Sequence, residues 1–241
     1  MDSVLPTLPL DGIRRALCVV AHPDDLEYGA SAAIASWVEQ GIEVGYLLLT
    51  SGEAGMQRHP GEAGPLRAEE QRRACGQVGV SRLTILGHPD GVLMPTLDLR
   101  RDIAREIRRF RPDLVLTMSW DVVVPWGLNQ ADHRAAGLST LDAVRDADNT
   151  WVFPELAEQE GLGRWGTTWF VVTGSATPTH GVPVSEAHVA AAVASLSEHR
   201  AYLADLPDHP APEDFLPPSL KAQGELTGTP YGFCLQAVKL R

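Results

Sequence analysis

Cysteine, lysine and long apolar runs are all scarce in this sequence. The three cysteines, Cys18, Cys75 and Cys234, are widely scattered. Their spacing makes neither a zinc ribbon nor a disulfide framework, so buried reduced thiols in a cytoplasmic protein are expected. No run of ~18 apolar residues occurs, and no membrane span is expected. The opening stretch "MDSVLPTLPLDGIRRA" has no basic segment followed by an apolar one, the pattern of a secretory signal. Cationic excess is missing as well. Against 31 acidic side chains stand 20 basic ones, a formal net charge of -11. That argues against a sequence-independent nucleic-acid binder, which needs cations to displace counterions from phosphates. An anionic membrane surface is disfavoured for the same reason. Only Lys221 and Lys239 are lysines; with the abundant alanine this reads as codon bias and supports no functional inference.

What is present suffices for one sizeable core: 241 residues, 44% of them hydrophobic. No internal repeat or linker divides the chain. The expectation is a single domain over 1–241, with a proline-rich segment from about 206 running extended over the surface. Short apolar segments at 15–21, 42–50, 82–87, 113–119 and 167–175 read as strands. Helical patterns at 26–41, 66–79, 97–110, 133–147 and 185–206 lie among them. The last of these has Ser185 as its N-cap, and "GFCLQAVKL" near the end reads as a last strand or an edge. Strands alternating with helices predict an α/β, Rossmann-like fold with a mostly parallel sheet flanked by helices. In such sheets ligands sit beyond the carboxyl ends of the strands. That rule selects the segments 22–28, 51–64, 88–95 and 120–133.

The first of these is the most heavily charged. "VVAHPDDLEYGAS" (19–31) places His22, Asp24, Asp25 and Glu27 directly after an apolar strand. A solvated turn with an Asx cap is one account of it. The second account begins with His133, in "NQADHRAAG" past the fourth strand, on the same rim. His22, Asp25 and His133 make a three-ligand set with open positions, the pattern of a catalytic zinc rather than a closed structural one. Nitrogen and oxygen ligands without sulfur also admit iron, cobalt or manganese. Asp24 adjoins a ligand and can act as a base toward a metal-activated water. A nucleotide-binding turn is disfavoured, because acids stand where glycine amides would cradle a phosphate.

"AHPDDLEYGAS", followed at distance by "ADHRAAG", resembles the PIG-L/LmbE-like family of zinc-dependent N-acetylglucosamine deacetylases. The likeness continues through "SGEAG" (51–55), "RAEEQRRACGQVGV" (67–80), "LGHPDG" (86–91) and "RPDLVLT" (111–117), and weakly to "VAAAVASLSEHRAYL" (189–203). It implies one zinc per chain held by His22, Asp25 and His133, with Asp24 as general base. It implies a small-molecule N-acyl amino sugar or conjugate as substrate, cleaved to a free amine. Arg67 and Asp90 match residues that hold sugar hydroxyls in the family. In isolation they also read as a surface ion pair with Glu70 and as a turn residue.

One departure stands out. Where the family carries a histidine before its second-motif ligand, this chain carries Gln130, within "QADH". Glutamine can donate a hydrogen bond to an oxyanion but supplies no proton. Proton delivery then falls to Asp24 or to another residue such as His199, a partial match to a family motif and otherwise a structural histidine. A second reading follows from Gln130: a metal- or sugar-binding protein that has lost catalysis. Among the remaining residues, Asp132 reads as an N-cap or as a partner orienting a metal-bound histidine. Glu27 reads as such a partner or as a first-turn acid. Trp120 and Trp126 read as pocket wall or as core. His59 and His88 fall on rim loops. Oligomeric state is left open, a homo-oligomer included.

Overall fold

The computed structural model describes residues 4–241. Its centre is a seven-stranded sheet built from β1 (Arg15–Val20), β2 (Glu43–Leu48), β3 (Arg82–Ile85), β4 (Leu114–Met118), β7 (Trp169–Thr173), β8 (His180–Pro183) and β9 (Gly232–Lys239). The spatial order is β3-β2-β1-β4-β7-β9-β8. The first five strands of that order are parallel; β9 runs antiparallel to β7, and β8 antiparallel to β9. A separate two-stranded hairpin, β5 (Val123–Val124) and β6 (Gly127–Leu128), stands on the rim. The helices are α1 (Ser31–Glu39), α2 (Pro60–Gln77), α3 (Leu97–Phe110), α4 (Ala131–Ala147), α5 (Pro154–Glu158), α6 (Glu186–Ser197), α7 (Arg200–Ala204) and α8 (Pro212–Thr227).

Burial explains why the central strands are continuous apolar runs. β4 is buried at every position, and so are the last five residues of β1 and of β2. Strands covered by helices on both faces have no polar side to show. Helix α3 is the opposite case, apolar on one side and charged on the other, and it spans the 97–110 predicted from its pattern.

The structure departs from the sequence expectation in four places. Helix α2 starts at Pro60 rather than 66, because His59 caps it by accepting from Gly61 N and Pro60 occupies the position where a missing N–H costs nothing. Residues 24–30 are consecutive turns and α1 begins only at Ser31. The predicted 185–206 helix breaks into α6 and α7 at His199, whose ψ of 48° is not helical. The proline-rich segment does not run extended: it forms α8 despite Pro217 and Pro218 inside it. Its buried Leu216, Leu220 and Gly224 pack on the last two strands of the sheet, which outweighs the lost backbone bonds. Consequently "GFCLQAVKL" is no edge; β9 is paired on both sides.

Candidate metal centre and its adjoining cavity

The carboxyl ends of β1, β2, β3 and β4 lead into the loops that carry the chemistry. The turn after β1 is held by Asp24, whose φ of 89° is rare for any residue but glycine. Its carbonyl accepts from Glu27 N and Tyr28 N, and its own N–H donates to Gln71 Oε1 at 2.9 Å. Across the rim, His133 is the third residue of α4. That helix lies close on β4 because residue 137 is glycine; a Cβ there would meet Met118 O at 2.4 Å.

His22, Asp25 and His133 converge, each offering one ligand atom within 4.8 Å of the others. His133 Nε2 is 3.1 Å from Asp25 Oδ1, and His22 Nδ1 is 3.6 Å from Asp25 Oδ2. These separations bracket the roughly 3.3 Å edge of a tetrahedron with metal–ligand bonds of about 2.0–2.1 Å. The surroundings orient each ligand. Asp25 Oδ2 accepts from His22 N at 2.8 Å. Asn129 Oδ1 lies 3.2 Å from His133 Nδ1 while Asn129 Nδ2 donates to Ser119 O and Asp121 O, so the histidine's Nδ1 carries the proton and Nε2 is free to ligate. On the far side of His22, Nε2 faces Asp90 at 2.9 Å and Asp132 at 3.4 Å. The donor set therefore fits a divalent cation, with carboxylates behind one histidine and an amide behind the other. His22, Asp90 and Asp132 are also close enough to form a set of their own. Both of those carboxylates are already held by backbone amides, Asp90 by Ala54 N and Asp132 by Gly91 N and Leu93 N.

Electrostatics make the same point. Burial works against a charge on His22, but Asp25, Asp132 and Asp90 overcome it and push the imidazole up to about 12. Burial would raise Asp25, yet His133 and His22 hold its carboxyl well below the usual range. A pocket that so favours a cation on His22 is one that favours a metal ion in its place. Burial pushes Asp24 up to about 7, against the pull of the Arg67 guanidinium.

Behind this cluster lies a second, fully buried polar layer. Arg67 is 3.1 Å from Asp24 Oδ2, donates to Gly52 O and Pro23 O, and sits 4.1 Å from the Tyr202 ring centroid. Gln71 donates to Glu27 Oε1 at 3.0 Å, and Ser195 Oγ donates to the same oxygen. His199 is completely buried, with its Nε2 3.8 Å from Glu27 Oε2. Burial lowers His199 to about 3 and raises Glu27 to about 7.

A cavity of about 790 Å³ opens beside the cluster, and Asp25 and His133 form part of its wall. Trp126 lines its mouth, whereas Trp120 stacks on Phe170 in the core. Of the residues singled out from sequence, His22, Asp24, Asp25 and His133 come together. Arg67 and Asp90 come with them, but face Asp24 and His22 rather than the cavity. Arg67 is not a surface pair with Glu70; both are buried, and Glu70 accepts from Ala201 N. Asp132 is not a helix cap, since Gln130 occupies that position. Gln130 is exposed, its side chain caps nothing, and it does not line the cavity. His88 pairs with Asp102. Sequence reasoning missed Asn129 and Gln71; the spacing of Asn129 four residues before His133 was the available signal for the first.

An open, mostly parallel sheet carrying a two-histidine, one-carboxylate cluster at its strand ends defines an α/β protein with side chains placed so that they could hold a cation. The model of the PIG-L family, described as GlcNAc-PI de-N-acetylase, matches residues 17–144, and the chain belongs to that family. It is 34% identical over 141 residues to the diacetylchitobiose deacetylase of Thermococcus kodakarensis, an alignment covering 56% of this chain and 51% of that one. The chain thus spans about half the length of the curated relatives it matches. Among solved structures, the N,N'-diacetylchitobiose deacetylase of Pyrococcus horikoshii, complexed with its inhibitor MPG, superposes with a TM-score of 0.83 at 22% identity, over 96% of this chain and 86% of that one. The 4-carboxy-2-hydroxymuconate hydratase GalB of Pseudomonas putida superposes with a TM-score of 0.72 at 20% identity, over 95% and 98%. Likeness at that level establishes the shared fold, and that fold carries more than one chemistry. No helix among the described residues is long and apolar enough to cross a membrane.

Proposed function

We propose that this protein is a metal-dependent hydrolase that removes an N-acyl group, acetyl in the simplest case, from an amino sugar or its conjugate. The observation that carries the reading is the His22–Asp25–His133 cluster on the wall of the cavity, with buried Asp24 next to it in the chain. The family membership and the deacetylase relatives support it.

His22, Asp25 and His133 would hold one divalent ion per chain, zinc being the first candidate. Such an ion supplies a Lewis acid that polarises an amide carbonyl and makes water acidic near neutral pH. The protein's own groups do the rest. Asp24 accepts a proton from the attacking water and passes it to the amine nitrogen as the C–N bond breaks. Arg67, backed by the Tyr202 ring, fixes the direction of that carboxyl, and Asp90 and Asp132 hold the His22 ring. In this reading Arg67 and Asp90 position the machinery and do not grip sugar hydroxyls. Gln130, exposed on the rim, is left without a part in proton transfer.

A protein that only binds metal or sugar is the second reading, motivated by the same Gln130. It leaves unexplained why a carboxylate is buried at a strained φ beside the ligands, a combination that costs roughly 1–3 kcal/mol for the backbone alone. Incubating metal-loaded protein with a panel of N-acetyl amino sugars and assaying free amine separates the two. Chelator-sensitive release supports the hydrolase; binding without release supports the alternative.

A further inference from the structure

We propose that the cavity beside the metal cluster receives the acyl chain of the scissile amide, and that the preferred substrates carry acyl groups well longer than acetyl. The inference rests on the amide hydrolysis proposed above and adds the shape of the group that is removed.

The walls carry the argument. Met118, Trp126, Phe215, Leu226 and Phe233 give the cavity an apolar surface. The polar side chains that reach it have protein partners, Thr173 and the indole N–H of Trp126 aside. Asn129 donates to two backbone carbonyls, and Ser119 Oγ accepts from Asp121 N. Ser175 Oγ donates to Gln236, and Tyr28 Oη pairs with His209. Gln223 accepts from Cys234 N and donates to Ser219. A sugar ring drawn inside would leave most of its hydroxyls without partners, which burial does not tolerate. A hydrocarbon chain asks for none.

Connectivity decides which apolar group enters. Asp25 and His133 belong both to the wall and to the cluster, so the cavity begins where the reacting carbonyl would sit. The acyl chain is bonded directly to that carbonyl carbon. An aglycone is joined to it only through the sugar ring, which would have to enter first. Room is ample: about 790 Å³, against the roughly 30 Å³ of a water molecule in the liquid, close to the size of a methylene, holds a chain of roughly thirteen carbons at half filling. Water adds its oxygen to the acyl carbon, the C–N bond breaks, and the amine takes the proton. The products are a free amino sugar and a medium-chain carboxylate.

The test is a series of N-acyl glucosamines from acetyl to decanoyl, with free amine measured on zinc-loaded protein. Each added methylene should raise kcat/KM roughly three- to fourfold until the cavity is full, putting hexanoyl about 100-fold above acetyl. Ala222→Trp, on the α8 wall, should cut the octanoyl-to-acetyl ratio at least tenfold; Ala176→Phe on the facing loop does the same if the first variant misfolds. Calorimetric titration of metal-free protein adds a readout independent of turnover, in which N-octanoylglucosamine binds at least 30-fold more tightly than N-acetylglucosamine. Acetyl turned over as fast as the longer chains would overturn the inference and leave the hydrolase reading standing. A chain-length preference untouched by both substitutions would overturn the assignment to this cavity. Tight octanoyl binding with no amine released from any substrate would uphold the chain site and sink the hydrolase reading; equal binding of the two ligands would sink the chain site.

Discussion

Replacing Gln71 with leucine should damage the site without touching a metal ligand. Gln71 Oε1 accepts from the N–H of Asp24, and Gln71 Nε2 donates to Glu27 Oε1. All three residues are buried. Leucine fills similar space and removes both bonds. The Asp24 N–H is then an unpartnered buried donor, a loss of about 1–3 kcal/mol. Glu27 keeps Ser195 and is partly compensated. The φ of 89° at Asp24 also loses an anchor, and strain of that kind persists only where the surroundings enforce it. A total of about 2–4 kcal/mol is expected from urea unfolding. Freed from its anchor, Asp24 should drift, and a displacement of about 1 Å costs roughly 100-fold in kcat. KM and zinc content should change little, because the hydrogen bonds of Gln71 go to Asp24, Glu27 and Cys75 and not to His22, Asp25 or His133. Gln71→Glu restores the acceptor but places a second carboxyl against Glu27, so the pair must share a proton. Its rescue of kcat should strengthen as pH falls. A Gln71→Leu variant within 0.5 kcal/mol and threefold in kcat of the parent would refute the positioning argument.

Five further outcomes follow from the same geometry. Asp24→Asn should retain the metal, measured by elemental analysis, while amine release drops by roughly 100-fold or more. Asn129→Ala removes the group that fixes the His133 tautomer, and zinc affinity measured by competition with a chelator should fall about 10- to 100-fold. Metal binding at pH 8 should release about one proton, read from calorimetry in buffers of different ionisation enthalpy, because metal-free His22 is still charged there. In the metal-free protein the His22 value lies above its ordinary 6.5, so its ion pairs contribute fully below pH 6.5 and that contribution is lost as pH rises toward about 12. Arg108→Leu should destabilise by about 3–5 kcal/mol in chemical unfolding, since the buried guanidinium serves five backbone carbonyls between Asp146 and Phe153.

The parallel core was legible because fully buried strands leave an unmistakable apolar signature, and the candidate ligand set was legible because a strand-end rule says where to look. His22, Asp25 and His133 needed only that rule and the chemistry of their side chains. The C-terminal third was harder. Pro217 and Pro218 argue locally against a helix, and only the packing of Leu216, Leu220 and Gly224 against the sheet overrides them. Asp132 looked like a cap because it opens a helix, yet the 91–93 loop folds over it and turns it toward His22. Arg67 has the spacing of a helix-surface ion pair; the approach of Tyr202, 135 positions later, buries it instead. Such contacts depend on elements distant in the chain, and no local pattern announces them. The cavity is hidden for the same reason, since α8 and β9 supply much of its wall.

Amine release from N-acyl glucosamines, measured on one preparation as purified, after chelation and after zinc is returned, tests the central claim most directly. The account predicts about one metal per chain, release that chelation abolishes and zinc restores, and none of these in His133→Ala. Protein that binds no divalent metal, or release indifferent to chelation, would contradict it.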